Sequence, residues 1–428
     1  MKILIKNGKV VNPLGKSGSL DILIEGKKIA KIEKDIKAEE GVKIIDATNL
    51  TVMPGLVDMH VHLREPGYEY KEDILSGTRA AVAGGVTSVV CMPNTNPVLD
   101  NAALIDYIYN RAKECGYAKV YPVGCISKGM EGKELAEMGD MHNHGAVAFS
   151  DDGRPVMNSN LMRNAMEYAK NFDALLISHC EDLDLVDDGV MNEGFVSTQL
   201  GLKGNTRAAE ENHVSREILL ANALNTKVHI AHVSTKGGVE MIRQAKKMGI
   251  KVSAETAPHY IACTDEWVKD YNTNAKVNPP IRTEEDRLAI IEGLKDGTLD
   301  CIITDHAPHH EDEKNVEFAL ALNGISGLET SFAVVNTYLV RTGEVSMEKI
   351  VKLMSSNPAN LVKIEGGVIE KGKPADIVIM DEHKKWKVKR EEFVSKGKNS
   401  IFDGEELYGK AVYTIVDGKI MLDNYKLK

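Results

Sequence analysis

The run Asp58-Met59-His60-Val61-His62-Leu63-Arg64-Glu65-Pro66-Gly67 follows directly on apolar residues that read as a buried strand. Successive strand residues face opposite sides of a sheet, so His60 and His62 project together from one face. Two neutral imidazoles held side by side on a rigid strand can grip a transition metal. Alone the pair is weak, because histidines at this spacing often just line a polar surface. The case grows with Arg64, one side-chain step beyond, whose planar fork suits a carboxylate. It grows further with histidines and acids that lie far away in the chain.

Something must bring those groups together. Residues 1–54 read as short strands joined by tight turns at Asn7-Gly8 and Gly26-Lys27, and residues 366–428 repeat that texture with a hairpin signal at Asp417-Gly418. The two ends are expected to pack together as one small, discontinuous antiparallel β-sandwich. Between them, over 55–365, the pattern becomes strand, loop and helix in repetition. Eight apolar strand candidates occupy 56–62, 87–92, 120–126, 146–149, 175–179, 228–233, 251–255 and 301–304. Helical spacing links Val239, Ile242, Ala245 and Met248, with Gly249 as a stop, and Asp100 is placed to cap the helix that follows it. Eight such units favour an α/β fold of the (β/α)8 TIM-barrel kind over an open sheet.

Active sites of such barrels lie at the carboxyl ends of the strands. Here those ends read His60 and His62, Pro93-Asn94-Thr95, Ser150-Asp151-Asp152-Gly153, Ser178-His179, Ala231-His232, Glu255-Thr256 and Thr304-Asp305-His306. Each has a bland explanation by itself; their recurrence at one end of so many strands does not. The bulk numbers fit an enzyme. With 43% hydrophobic residues a large core is available, and a net charge of -10 argues against nucleic acid or an anionic membrane as the main partner. No segment is apolar enough to span a bilayer, the start reads as a strand rather than a signal peptide, and the six cysteines form no CxxC pair, which suits reduced thiols in the cytoplasm.

These segments resemble the amidohydrolase superfamily and, within it, the class I dihydroorotases. The resemblance rests on the His60–Gly67 run, Met92-Pro93-Asn94-Thr95, Phe149-Ser150-Asp151-Asp152-Gly153, His179, His232, Glu255-Thr256-Ala257-Pro258-His259-Tyr260, Asn278-Pro279-Pro280 and Asp305-His306-Ala307-Pro308-His309. It implies one zinc ion held by His60, His62 and Asp305, and a second held by His179 and His232 with Asp152 between them. Similar hydantoinases, dihydropyrimidinases and allantoinases carry a carbamylated lysine on the fourth strand. Asp151-Asp152 stands there instead, so the resemblance implies one or two Zn2+, the second weakly held or absent, and spacing against the family favours Asp152 as the ligand.

The resemblance also implies Asp305 as the catalytic proton carrier. It sets Arg64, Asn94 and His309 around a substrate carboxylate, with His62 close by, and Asn278 and the Asn323–Gly324 backbone against the ring. The implied reaction is the reversible interconversion of N-carbamoyl-L-aspartate and dihydroorotate in pyrimidine synthesis. A homodimer and association with aspartate transcarbamoylase fit the same family. The rival readings are a hydantoinase or allantoinase, and a non-catalytic dihydroorotase-like scaffold. Outside the implied site, His259 and His306 read as packing or hydrogen-bonding residues, and Glu65 as an ion-pair partner for Arg64. The acidic run 311–314 reads as a solvated loop, and His142 and His144 fall at the wrong end of the barrel.

Overall fold

In the computed structural model, which describes residues 2–428, the barrel strands are β1 (Leu56–Val61), β2 (Val86–Cys91), β3 (Lys119–Gly124), β4 (Ala148–Phe149), β5 (Ile177–Ser178), β6 (Val228–Ile230), β7 (Val252–Thr256) and β8 (Cys301–Ile302). Parallel pairing runs from β1 to β4 and from β5 to β8. The bridges Phe149–Leu176 and Val61–His306 join the two halves and close the cylinder. Nearly every residue of these strands is buried, which is why they read as continuous apolar runs rather than alternating ones. The structure thus has the expected eight-stranded barrel.

Local details depart from expectation. The helix Ala102–Cys115 is capped by Asn101, whose side chain accepts the Leu104 N–H, whereas Asp100 accepts the Gly129 N–H at 3.0 Å. Two adjacent residues can both cap, and the one with extended backbone directly before the first turn does so. In the helix Lys236–Lys247, Val239, Ile242 and Ala245 are buried, but Met248 lies just past its end and is 73% exposed; Gly249 follows at φ 75°. After β7 the chain runs through short helical turns before the helix Glu284–Asp296, and this insertion is what blurs the periodicity of the seventh unit.

The chain ends meet in one seven-stranded sheet, where Thr51–Pro54 pairs antiparallel with the start of Ile377–Lys387. A four-stranded sheet of N-terminal residues covers it, and Ile3, Ile5, Ile22, Ile24 and Ile45 share a core with Val52, Ile377, Ile379 and Ile415. The two sheets are not wholly antiparallel: Lys2–Lys6 pairs parallel with Lys43–Asp46 in the smaller one, and Lys9–Val10 pairs parallel with Thr51–Pro54 in the larger. The Ile377–Lys387 and Glu406–Val416 strands form a long hairpin whose connection, 388–405, leaves the sandwich and packs Phe393, Ile401 and Phe402 into the barrel core. Five of the six cysteines are buried, and all six are free thiols.

Candidate functional site

His60, one residue before the end of β1, is fully buried, with Nδ1 2.6 Å from Glu255 Oε1 on β7. Glu255 in turn lies 3.1 Å from His229 Nε2, so the carboxylate is gripped from two strands and turns His60 Nε2 toward the barrel axis. His62 places Nδ1 2.9 Å from Asn94 Oδ1 and Nε2 3.0 Å from Asp305 Oδ1. His179 sets Nε2 3.3 Å from Glu181 and Nδ1 2.9 Å from His232 Nε2. Asp152 stands in the middle. Its carboxylate lies 3.4 Å from His60 and 3.5 Å from each of His62, His179 and His232. Asp151 faces the other way and accepts the Ile126 and Ser127 N–H groups at 2.8 and 3.1 Å.

The electrostatics of this cluster call for a cation. Burial opposes charge on His60, yet Asp152 and Glu255 outweigh it and hold the imidazole pKa well above its ordinary value. Burial likewise works against His179, and Asp152 and Glu181 still lift it to about 10. Asp152 and Asp305, although buried, are held well below the usual carboxylate range by the surrounding histidines. Protons on His60 and His179 therefore occupy positions that a metal ion could take. Donor atoms of His60, Asp152 and His232, and of His60, His62 and Asp305, all lie within 4.8 Å of one another in two overlapping triads. His60 Nε2 and Asp152 Oδ1 are buried with no hydrogen-bond partner, and imidazole and carboxylate donors of this kind fit zinc. His232 and Asp305 adopt φ of 30° and 48°, values that non-glycine residues hold only at about 1–3 kcal/mol and that cluster at functional sites.

A second wall faces the cluster across a cavity of about 210 Å³ lined by Arg64, Asn94, Asn278, Asp305, Asn323 and Gly324. Arg64 Nε donates to the Pro308 carbonyl at 3.2 Å, and Nη2 lies 3.4 Å from His309 Nε2. Burial and the Arg64 charge push the His309 pKa down to about 3, so this imidazole is neutral at ordinary pH. Its Nε2 lies 2.8 Å from the Asn323 carbonyl. Asn278 donates to Glu181 at 2.8 Å, and Asn94 Nδ2 lies 3.5 Å from Asp152. Gly324 sits at φ 147°, where a Cβ would come 2.5 Å from the Ala307 carbonyl.

All the expected site residues except His60 and His309 line this one cavity, and those two stand directly behind its walls. Several neighbours differ from expectation. Glu65 does not pair with Arg64; it accepts from Arg111 at 2.7 Å, Tyr107 at 3.0 Å and the Ile74 N–H at 2.9 Å. The run Glu311–Lys314 is a helical turn rather than a loop; Glu311 and Asp312 are exposed, as expected of a solvated run, but Lys314 is buried and its ammonium donates to the Leu322 and Gly324 carbonyls at 2.7 and 3.2 Å. His306 lies 3.3 Å from Glu72 and accepts the Gly327 N–H at 3.1 Å. His259 is buried against Tyr260, and burial lowers its pKa to about 4. His144 pairs with Asp106 at 3.0 Å, away from the cavity. Glu181, Lys314 and the buried Asp58, which accepts the His60 and Thr304 N–H groups and is pushed by burial to about 7, escaped the sequence reading. Glu181 alone had a usable signal, standing two residues after His179 with strand spacing.

Comparison with known proteins places this geometry among relatives. Residues 50–238 match the family described as Dihydro-orotase-like, and residues 221–422 match the Amidohydrolase family. The Dihydroorotase of Ruminiclostridium cellulolyticum is 56% identical over 98% of each chain. That of Acetivibrio thermocellus is 54% identical over 98% of this chain and 99% of its own. Among solved structures, the L-Hydantoinase (Dihydropyrimidinase) from Arthrobacter aurescens superposes with a TM-score of 0.90 at 26% identity, covering 100% of this chain and 97% of that one.

Proposed function

The chain belongs to the dihydroorotase family of amidohydrolases, and from that membership we propose that it interconverts N-carbamoyl-L-aspartate and (S)-dihydroorotate with zinc as its metal. His60, His62, His179, His232, Asp152 and Asp305 hold one or two ions. The observation that carries the reading is a single carboxylate, Asp152, within 3.4–3.5 Å of four imidazoles, with an arginine across the same cavity. A divalent cation bound there supplies Lewis acidity and an activated water at neutral pH.

The protein's own groups do the rest. Arg64 takes the substrate carboxylate, and neutral His309 beside it adds polarity without a competing charge. Asn278 and the Asn323–Gly324 backbone hold the ring's amide and carbonyl groups. Asp305 is ionised at neutral pH, since burial is overcome by the nearby histidines, so it can take a proton from the nucleophile and deliver it to the leaving ring nitrogen. In the reverse direction the same carboxylate takes that proton back as the ring closes. Glu255, Glu181 and Asn94 fix the ring orientation of His60, His179 and His62, as outer partners of ligating histidines do.

A substrate panel tests the assignment. Turnover of dihydroorotate well above that of hydantoin and allantoin is expected; the opposite order would end it. The spans 1–54, 55–365 and 366–428 are our division into sandwich, catalytic barrel and sandwich, supported by the strand pairing of the two ends. A cytoplasmic setting accords with the free thiols, and no described helix is long and apolar enough to cross a membrane. Homodimerisation and docking onto aspartate transcarbamoylase are proposals that co-elution on a sizing column would test.

A further inference from the structure

Asn399 lies in the 388–405 connection that joins the two strands of the C-terminal hairpin and packs into the barrel core. It is buried, and its amide is occupied on every side. Oδ1 accepts the His309 N–H at 3.0 Å and lies 2.9 Å from the Ser326 hydroxyl. Nδ2 donates to the Ala307 carbonyl at 3.0 Å and to the Gly324 carbonyl at 2.9 Å. Its own carbonyl accepts the Ser326 N–H at 2.9 Å. An amide is the one neutral side chain with two donors and a two-lone-pair acceptor, and all of that capacity is spent here.

The segments it ties together are those of the pocket's second wall. Residues 307–309 continue past β8, carrying the carbonyl that Arg64 touches and the ring of His309. Residues 323–326 return beside them, paired through the Ala307 N–H and the Ile325 carbonyl at 2.9 Å. Gly324 leaves no room for a side chain against Ala307, so cross-bonding groups set the spacing of the two segments. The connection is itself anchored: Glu329 accepts the Val394 and Ser395 N–H groups at 2.8 and 3.1 Å, and the Ser395 hydroxyl donates to Glu72, which also faces His306.

We propose that Asn399 is a positioning residue for substrate recognition: it fixes the separation of the Pro308–His309 and Asn323–Gly324 segments and so sets how tightly a carboxylate-bearing ring is held. The inference rests on the dihydroorotase reading above. It predicts a defect in binding rather than in metal loading, because Asn399 touches none of the six metal-facing residues.

The test compares full-length wild type with Asn399→Ala and the isosteric Asn399→Asp, which when ionised can donate to neither carbonyl. Expected is a KM for N-carbamoyl-L-aspartate raised about tenfold or more, with kcat within about threefold and metal content unchanged. Amide exchange should quicken at 307–309 and 323–326. Ser326→Ala, which removes the hydroxyl contacts to Asn399 Oδ1 and the Gly397 carbonyl while leaving the amide's other bonds, keeps the test decisive if both Asn399 variants fail to fold, with KM up about threefold. KM within about twofold of an active wild type, with kcat and melting temperature falling together, would overturn the proposal alone. An inactive, metal-loaded wild type would overturn the functional reading and this inference with it.

Discussion

The histidine-rich wall of the pocket is made of side chains, whereas the wall around Arg64 is largely main chain. On the first, His60, His62, Asp152, His179, His232 and Asp305 stand at or just beyond strand ends, and Glu255, Asn94 and Glu181 fix the rings of three histidines. On the second, the carbonyls of Pro308, Asn323 and Gly324 are set by Arg64, His309, Lys314 and Asn399, groups drawn from three distant parts of the chain. The difference teaches where specificity is stored. Metal chemistry demands particular side chains, while shape recognition by backbone demands only that something hold the backbone still.

Substitutions can sharpen or break that contrast. The largest effect is expected at the centre of the cluster: Asp152→Ala should lower turnover by about 10³-fold or more, with metal lost on dialysis. Its neighbour Asp151→Asn should keep its metal and cost only about 1–3 kcal/mol of stability, since that carboxylate caps backbone N–H groups. Reversal of the two phenotypes would invert the assignment.

Next comes the opposite wall. Arg64→Met should raise KM by roughly 30-fold or more at constant metal content, because a carboxylate loses its charged partner. Steady-state kinetics with wild-type saturation would remove Arg64 from the substrate site. Glu181→Gln should fall between the walls, weakening metal affinity by about tenfold through a less firmly oriented His179, as metal titration would register.

The smallest effect concerns the strap that carries Asn399. Burial raises the Glu329 pKa to about 7, above the ordinary 4.5, although the Val394 and Ser395 N–H groups favour its charged form. The folded state therefore binds more protons between these values than the unfolded chain does. Its stability contribution is full below about 4.5 and is lost as pH rises through about 7. Glu329→Gln keeps an acceptor for both N–H groups and removes the titration. Melting curves should show the variant gaining a few degrees on wild type between about pH 5 and 8. A pH-independent difference would remove Glu329 from this role.

Much of this architecture could be read from residue order. Buried parallel strands announce themselves as apolar runs, and a polar side chain at a strand end is preceded by one, so the barrel and the convergence of His60, His62, Asp152, His179, His232 and Asp305 were legible together. Choosing Asp152 over Asp151 needed the family spacing, because adjacent residues on a chain leaving a strand can turn either way. The cap at Asn101 was missed by one position for a similar reason: Asp100 is chemically as able and differs only in backbone conformation. Glu65 next to Arg64 suggested a pair, yet Arg64 adopts φ 62° and the two side chains diverge to different neighbours. Asn399 and Lys314 left no trace in the sequence. A buried amide or ammonium that serves main-chain carbonyls needs no partner residue type, and its targets here lie as far as 92 positions away.

The most direct test is a metal assay coupled to ring closure. Purified protein should carry about one or two equivalents of zinc and cyclise N-carbamoyl-L-aspartate; chelation should abolish the activity and added zinc restore it. A chelated, metal-free preparation that still closes the ring at the full rate would contradict the account.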